Sequence, residues 1–271
     1  MAIISFLPQF LRIHTKHGIT GISSSYVLCN LISSTEQFTL YYYLLFNEYD
    51  PRGGTVFLHT PPSAGDWFSL CHNAIISLFF LGLCEYPSVI PPAVTQYFLI
   101  SFAQVLRHSG YRVFRGAIYA GFLLISTIPL LIESLWPMKH GLYRNVLSTF
   151  FAIVHMGCIY PIVTGLGILA MFCQAREICK VPFPNALSVY SLAMQAVVFM
   201  LVAVAWIWSL PFEYDGHWNW TTFYTWYTYV GWAIVNAFIF ALGQAALLVM
   251  ALRHSSVPIA LQHGEAEPTL G

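Results

Sequence analysis

Long apolar runs separated by short polar or proline-rich stretches dominate the chain. A run of about 20 apolar residues is the length an α-helix needs to cross the roughly 30 Å hydrocarbon core of a bilayer. Runs of that kind cover residues 19–46, 67–83, 116–136, 146–172, 186–210 and 223–252. A further apolar stub fills 1–12; so short a helix rises only about 18 Å, less than a full crossing. It has no basic leader or small-residue cleavage site of a signal peptide, and predicts a truncated first helix whose true start lies upstream of Met1. With the stub, the pattern predicts seven transmembrane helices. Segment 88–106 is also apolar but opens near Pro91-Pro92. It reads as an eighth span, a re-entrant stretch or a kinked extension of the third helix. The polar tail 253–271, with Pro258, Gly264 and Pro268, reads as disordered and cytosolic.

Composition points to lipid as the solvent. Of 271 residues, 58% are hydrophobic, 17% aromatic and 8% charged, against about 25% charged in soluble domains. So few charges exclude a soluble enzyme and a disordered chain. A net charge of zero leaves no phosphate-tracking surface and excludes a nucleic-acid binder. Charge also sets orientation. Seven spans place Arg12, Lys16, Arg107, Arg112, Arg115, Arg176, Lys180 and Arg253 on one side, and Arg52, Lys139 and Arg144 on the other. The positive-inside rule favours that split, with the N-terminus luminal and the C-terminus cytosolic. An eighth span weakens the split to seven against four and moves the basic loop 107–115 to the wrong side. Seven spans leave Glu48, Asp50, Asp66, Glu213 and Asp215 on the non-cytosolic side, beside an aromatic belt that includes Trp218, Trp220, Trp226 and Trp232. Asn219-Trp220-Thr221 has the form of a glycosylation acceptor there. The six cysteines form no zinc-spaced cluster and read as small apolar thiols. No metal or cofactor is expected.

The chain matches itself at an offset of 165 residues. Phe6-Leu7-Pro8-Gln9 falls on Met171-Phe172-Cys173-Gln174, Ile22-Ser23 on Leu187-Ser188, Asn30 on Gln195 and Trp67 on Trp232. One ungapped register running from the first helix to the third predicts an all-α protein of two parallel triple-helix bundles joined by a linker helix, a 3+1+3 plan. The divisions are a first repeat at 1–84, an insertion and basic loop at 85–115, the linker at 116–136, a second repeat at 146–252 and the tail at 253–271.

Leu7-Pro8-Gln9, then Lys16 and Gly18, then Gly21-Ile22-Ser23 resembles the PQ-loop repeat. In the second copy Cys173 stands at the proline position, and 182–186 replace the basic-glycine turn. Ser188, Gln195, Trp232 and Gly243-Gln244 are similar to fungal PQ-loop proteins. The resemblance implies a seven-helix membrane protein related to cystinosin-like amino-acid exporters and, more distantly, to SWEET sugar carriers and peptide-binding receptors. It also implies an endomembrane or vacuolar location. Fold alone does not fix the activity.

Several residues carry the candidate chemistry. Pro8 interrupts a helix and frees a carbonyl that Gln9 can satisfy; with Cys173 and Gln174 it marks a candidate hinge. Glu36, in Ser33-Ser34-Thr35-Glu36-Gln37, is an acid near mid-membrane. At that depth a carboxylate costs about 2.5–3.5 kcal/mol. It should pair, face a cavity or be protonated, with His72, His155 or the neighbouring serines as partners. His72, Asn73, Gln195, Asn236 and Gln244 could bind a polar solute or tie helices together. His155 alone on an apolar helix reads as a satisfied core histidine. These features predict a transporter of a small polar solute, amino acid or sugar-like, with protons as a candidate co-substrate, and not an enzyme. Alternatives are a non-transporting receptor or scaffold, or a seven-helix terpene cyclase using Glu36 as its acid.

Overall fold

The structure is a computed structural model that describes residues 2–16, 20–46, 64–85, 110–135, 146, 149–180, 186–209 and 219–255. Segment 88–106 and the tail from 256 onward lie outside the described residues, as do Glu48, Asp50, Glu213 and Asp215. The described residues are all-helical, with no strand among them.

The first three helices are α1 (Ala2–Lys16), α2 (Ser24–Phe46) and α3 (Ala64–Glu85). Helix α1 carries Pro8 inside it and runs on past the apolar stub to Lys16. The expected linker helix starts earlier than 116 and is divided, into α4 (Gly110–Ile125) and α5 (Thr127–Leu135). Pro129 explains the division. It has no N–H for the Ile125 carbonyl, so the helix stops and restarts with proline in its first turn. A π-helical stretch, Ala152–Ile159, leads into α6 (Tyr160–Lys180). Pro161 sits at that junction and removes another backbone donor, and wider π turns accommodate such gaps. Then come α7 (Val189–Ser209), α8 (Trp220–Trp226) and, through a second π turn at Tyr227–Gly231, α9 (Trp232–Ser255). Asn219 caps α8 by accepting the Thr222 N–H at 2.7 Å; the candidate glycosylation asparagine is thus a helix cap here.

Among the described residues three helices are long and apolar enough to cross a membrane: Thr149–Lys180, Val189–Ile207 and Trp232–His254. Their surfaces agree with lipid as the surrounding medium, for Phe172, Val197, Leu201 and Leu242 stand exposed. Helix α2 has comparable length, at 23 residues, but its central polar run is turned inward, and Ser33, Ser34, Thr35 and Glu36 are all buried.

Helix α2 packs between α3 and α6, α9 packs on both α6 and α7, and α1 lies along α7. Gly243 allows the α6–α9 approach, since a Cβ there would overlap the Met171 side chain. Phe6 of α1 meets Phe79, Phe80 and Phe199 at ring separations of 4.8, 5.6 and 6.1 Å. Helices α4 and α5 both lie against α2.

Candidate functional site

Two helices begin at serines. Ser23 precedes α2 and its Oγ accepts the Tyr26 N–H at 3.4 Å; Ser188 precedes α7 and its Oγ accepts the Ser191 N–H at 3.3 Å. Both are N-caps, and they stand 165 residues apart. The short turns leading into them lie side by side, with the Ala186 N–H donating to the Thr20 carbonyl at 2.9 Å. Gly21 sits in the first turn at φ 88°, a conformation in which a Cβ is strained.

Each turn is gripped by a glutamine from the opposite part of the chain. Gln9 on α1 donates through Nε2 to the Ala186 carbonyl at 2.8 Å and accepts the Ser188 N–H at 2.8 Å. Gln174 on α6 donates to the Gly21 carbonyl at 2.8 Å and accepts the Ser23 N–H at 2.8 Å. Shifting either clasp by 165 residues gives the other, donor for donor. Both glutamines are buried. Gln9 therefore does not serve the carbonyls freed by Pro8, as expected from sequence. Instead the Ser191 hydroxyl donates to the Ser5 carbonyl, in the turn before the proline, at 2.7 Å. Cys173, at the equivalent of Pro8, lies within an unbroken α6.

A cavity of about 30 Å³ lies where α2, α3, α6, α7 and α9 meet, enough for about two or three water molecules. Its polar wall holds Tyr26, Asn30, Ser33, Ser34, Gln37, Asn236 and Gln244, and its apolar wall includes Phe80, Phe199 and Phe240. Asn236 Nδ2 donates to Ser33 Oγ at 2.9 Å, and Gln244 Nε2 to the Tyr26 hydroxyl at 2.7 Å. Among the described residues Gln244 Oε1 is buried without a partner. A smaller cavity of about 20 Å³ borders Gln9, Tyr26 and Gln195, and Gln195 Nε2 donates to Ser191 Oγ at 2.8 Å. Tyr26 thus links the clasp at Ser23 to the cavity at Gln244.

Glu36 lies apart from both cavities, fully enclosed. One carboxyl oxygen meets His155 Nδ1 at 2.6 Å and the other accepts the Ser126 hydroxyl at 2.7 Å. Thr39 and Thr127 extend this network, their hydroxyls 2.8 Å apart, and Thr35 reaches the Tyr119 hydroxyl at 3.0 Å. Phe151 stacks on His155 at 4.2 Å and Tyr43 on Phe151 at 3.8 Å. Of the partners expected for Glu36, the structure supplies His155. Ser33 and Ser34 are engaged elsewhere, with Asn236 and the Leu31 carbonyl. His72 is half-buried on α3, its ring 6.3 Å from that of Phe68, and neither it nor the buried Asn73 lines either of these two cavities.

The structure therefore joins Asn236 to Gln244 in one cavity, places Gln195 at the other, and sets Glu36, His72 and Asn73 apart. Sequence reasoning passed over Tyr26, Ser126 and the cavity role of Gln37 and Asn30. Two signals were present. The Ser23/Tyr26 and Ser188/Ser191 spacings repeat at the shared offset, and Pro129 announces the helix break that exposes Ser126 to Glu36. Among the described residues no group of three His, Cys, Asp or Glu side chains could hold a metal ion. Comparison of the chain with family models, curated proteins and solved structures returns no match.

Proposed function

We propose that the chain is a multi-pass membrane transporter of a small polar solute, built on the PQ-loop plan. Helices α1, α2 and α3 form one triplet, α6, α7 and α9 the other, and α4 with α5 the linker. The observation that carries this reading is the reciprocal pair of glutamine clasps. Each triplet closes the other's first turn, so α1 and α6 end at the same face and α2 and α7 start there. That is the arrangement of two same-facing repeats. Lys16, Arg176, Lys180 and Arg253 end on that face, which the charge bias assigns to the cytosol.

The clasps then act as a gate. Interhelical hydrogen bonds in membrane proteins are worth about 0.6 kcal/mol each, so four of them hold the face shut by roughly 2–3 kcal/mol. A gate of that strength stays mostly closed yet opens thermally. Rocking one triplet against the other breaks both clasps together and widens the cavity at Asn236 and Gln244. The path from Ser23 through Tyr26 to Gln244 connects the gate to the cavity wall.

Counterflow into proteoliposomes, with a panel of polyols, monosaccharides and amino acids, tests the proposal. At least one class should accumulate above protein-free vesicles, and Gln9→Leu or Gln174→Leu should change that rate. Accumulation equal to that of protein-free vesicles across the panel sinks it. The cyclase reading, which needs Glu36 as a proton donor, gains no support from a carboxyl enclosed by His155 and Ser126 and turned away from the cavity.

A further inference from the structure

We infer that the cavity between α2, α6 and α9 is a binding site for ordered water, held by the Asn30 and Gln244 amides and the Tyr26 and Ser33 hydroxyls. The inference stands whether or not the chain transports a solute. Size limits the occupant first. A space of about 30 Å³ takes about two or three water molecules. Chemistry then decides between wet and dry. Apolar voids in proteins stay dry, whereas a polar void fills when each water finds about two to four partners. Tyr26, Asn30, Ser33, Asn236 and Gln244 all reach this wall and are all buried. Phe80 and Phe199, buried as well, line its apolar side.

The hydrogen bonds of these side chains are incomplete among the described residues. Asn30 donates to the Tyr26 backbone carbonyl at 2.8 Å. A carbonyl only accepts, so the Asn30 NH2 group is fixed there, and its Oδ1 remains an acceptor without a partner among the described residues. Gln244 Nε2 donates to the Tyr26 hydroxyl at 2.7 Å, while its buried Oε1 meets no donor among the described residues. The Tyr26 hydroxyl, having accepted, still carries a hydrogen to give. Turning the Gln244 amide over would let Tyr26 donate to the oxygen, and would leave the NH2 end bare instead. Neither orientation satisfies both ends. Ser33 Oγ likewise accepts from Asn236 Nδ2 at 2.9 Å and keeps its own hydrogen to give. Water both donates and accepts, so it completes either amide orientation and both hydroxyls. A buried polar group left unmatched carries its full desolvation cost, and bound water removes it. The waters continue the line from Ser23 through Tyr26 and Gln244 toward Asn236 and Ser33. They tie α2 to α9 through bonds that re-form as the helices shift.

Radiolytic labelling reads such water directly, because an X-ray pulse turns a water held against a side chain into a hydroxyl radical that oxidises it. Purified protein in lipid nanodiscs is pulsed and mapped by mass spectrometry. Tyr26 is compared with Tyr43, which is also buried but lines neither cavity. Tyr26 should oxidise well above Tyr43. Gln244→Leu should bring Tyr26 down to the Tyr43 rate, since leucine keeps the bulk and offers no hydrogen bond. Gly167→Ala gives a second reading, by size, if Gln244→Leu fails to fold. A Cβ at Gly167 would lie 3.7 Å from Asn236 Oδ1 and 3.8 Å from the Ile239 side chain, which are ordinary contacts. The added methyl therefore takes the room of about one water without a clash, and Tyr26 oxidation should fall. Equal oxidation of Tyr26 and Tyr43 in the unaltered protein would show a dry cavity and overturn the inference. Tyr26 oxidation undiminished in the folded variants overturns it too, because the attacking water would then lie outside this site.

Discussion

Glu36 shows what a single buried acid demands of its surroundings. Its carboxyl is held by an imidazole from the π-helical stretch before α6 and by a hydroxyl from the break between α4 and α5. Two irregularities in otherwise regular helices thus converge on one side chain. Removing one partner of a buried pair leaves the other uncompensated, at a cost of about 3–5 kcal/mol. His155→Leu should therefore destabilise the protein by about 3 kcal/mol, measured by thermal unfolding in detergent. Glu36→Gln should cost about 1 kcal/mol, because an amide can still accept from Ser126 and donate to His155. The double change Glu36→Leu with His155→Leu should cost less than the two single changes summed. Wild-type stability in His155→Leu would show that the network holds nothing together. The need for a partner was readable from the sequence, since a mid-membrane acid must be satisfied. The identity of the partner was not. It depends on which residues the packing of α2 against α5 and the π stretch brings together across about a hundred residues of chain.

At the scale of elements, the interior proline of α1 was legible and the task of its neighbour was misread. Pro8 pointed to freed carbonyls and Gln9 stood next to it, so a local bond was the natural expectation. A glutamine side chain reaches further than its own turn, and the tight turns before α2 and α7 offer a carbonyl and an N–H spaced for both ends of an amide. The repeat offset carried this information: Gln9 and Gln174, Ser23 and Ser188, and Asn30 and Gln195 all share it. Helix boundaries were less legible where a proline sits just inside a restart, as at Pro129 and Pro161, because the apolar run continues across the break. Gln9→Leu and Gln174→Leu each remove a clasp and leave a backbone carbonyl and an N–H without their partners, an expected loss of about 1–3 kcal/mol. The two losses should be similar although one clasp sits on a proline-bearing helix and the other does not. If the clasps act as one gate, the double variant should fall short of additivity by at least 0.5 kcal/mol, on the order of coupling between contacting residues. Strict additivity would make them two independent ties.

At the scale of the whole molecule, the apolar surface, the three membrane-length helices and the crossed clasps lead to one geometric consequence. Helix α1 ends near the turn that Gln174 holds, and α6 ends near the turn that Gln9 holds, so Lys16 and Lys180 should emerge at one membrane face. On the proposed plan helix α7 leaves that face and α9, with Arg253 in its last turn, returns to it. Trp220, exposed at the start of α8, should emerge at the other. Single cysteines placed at these positions, in a background lacking the native thiols, report the sidedness through a membrane-impermeant maleimide. Lys16→Cys, Lys180→Cys and Arg253→Cys should label together in vesicles of one orientation, and Trp220→Cys only in the inverted ones. The grouping holds whichever face is cytosolic, because reversal of the whole protein would exchange the two groups without mixing them. Labelling of Lys16→Cys and Lys180→Cys from opposite faces would make the triplets antiparallel. The clasps could not then bridge equivalent turns, and a rocking gate built on them would have no structural basis.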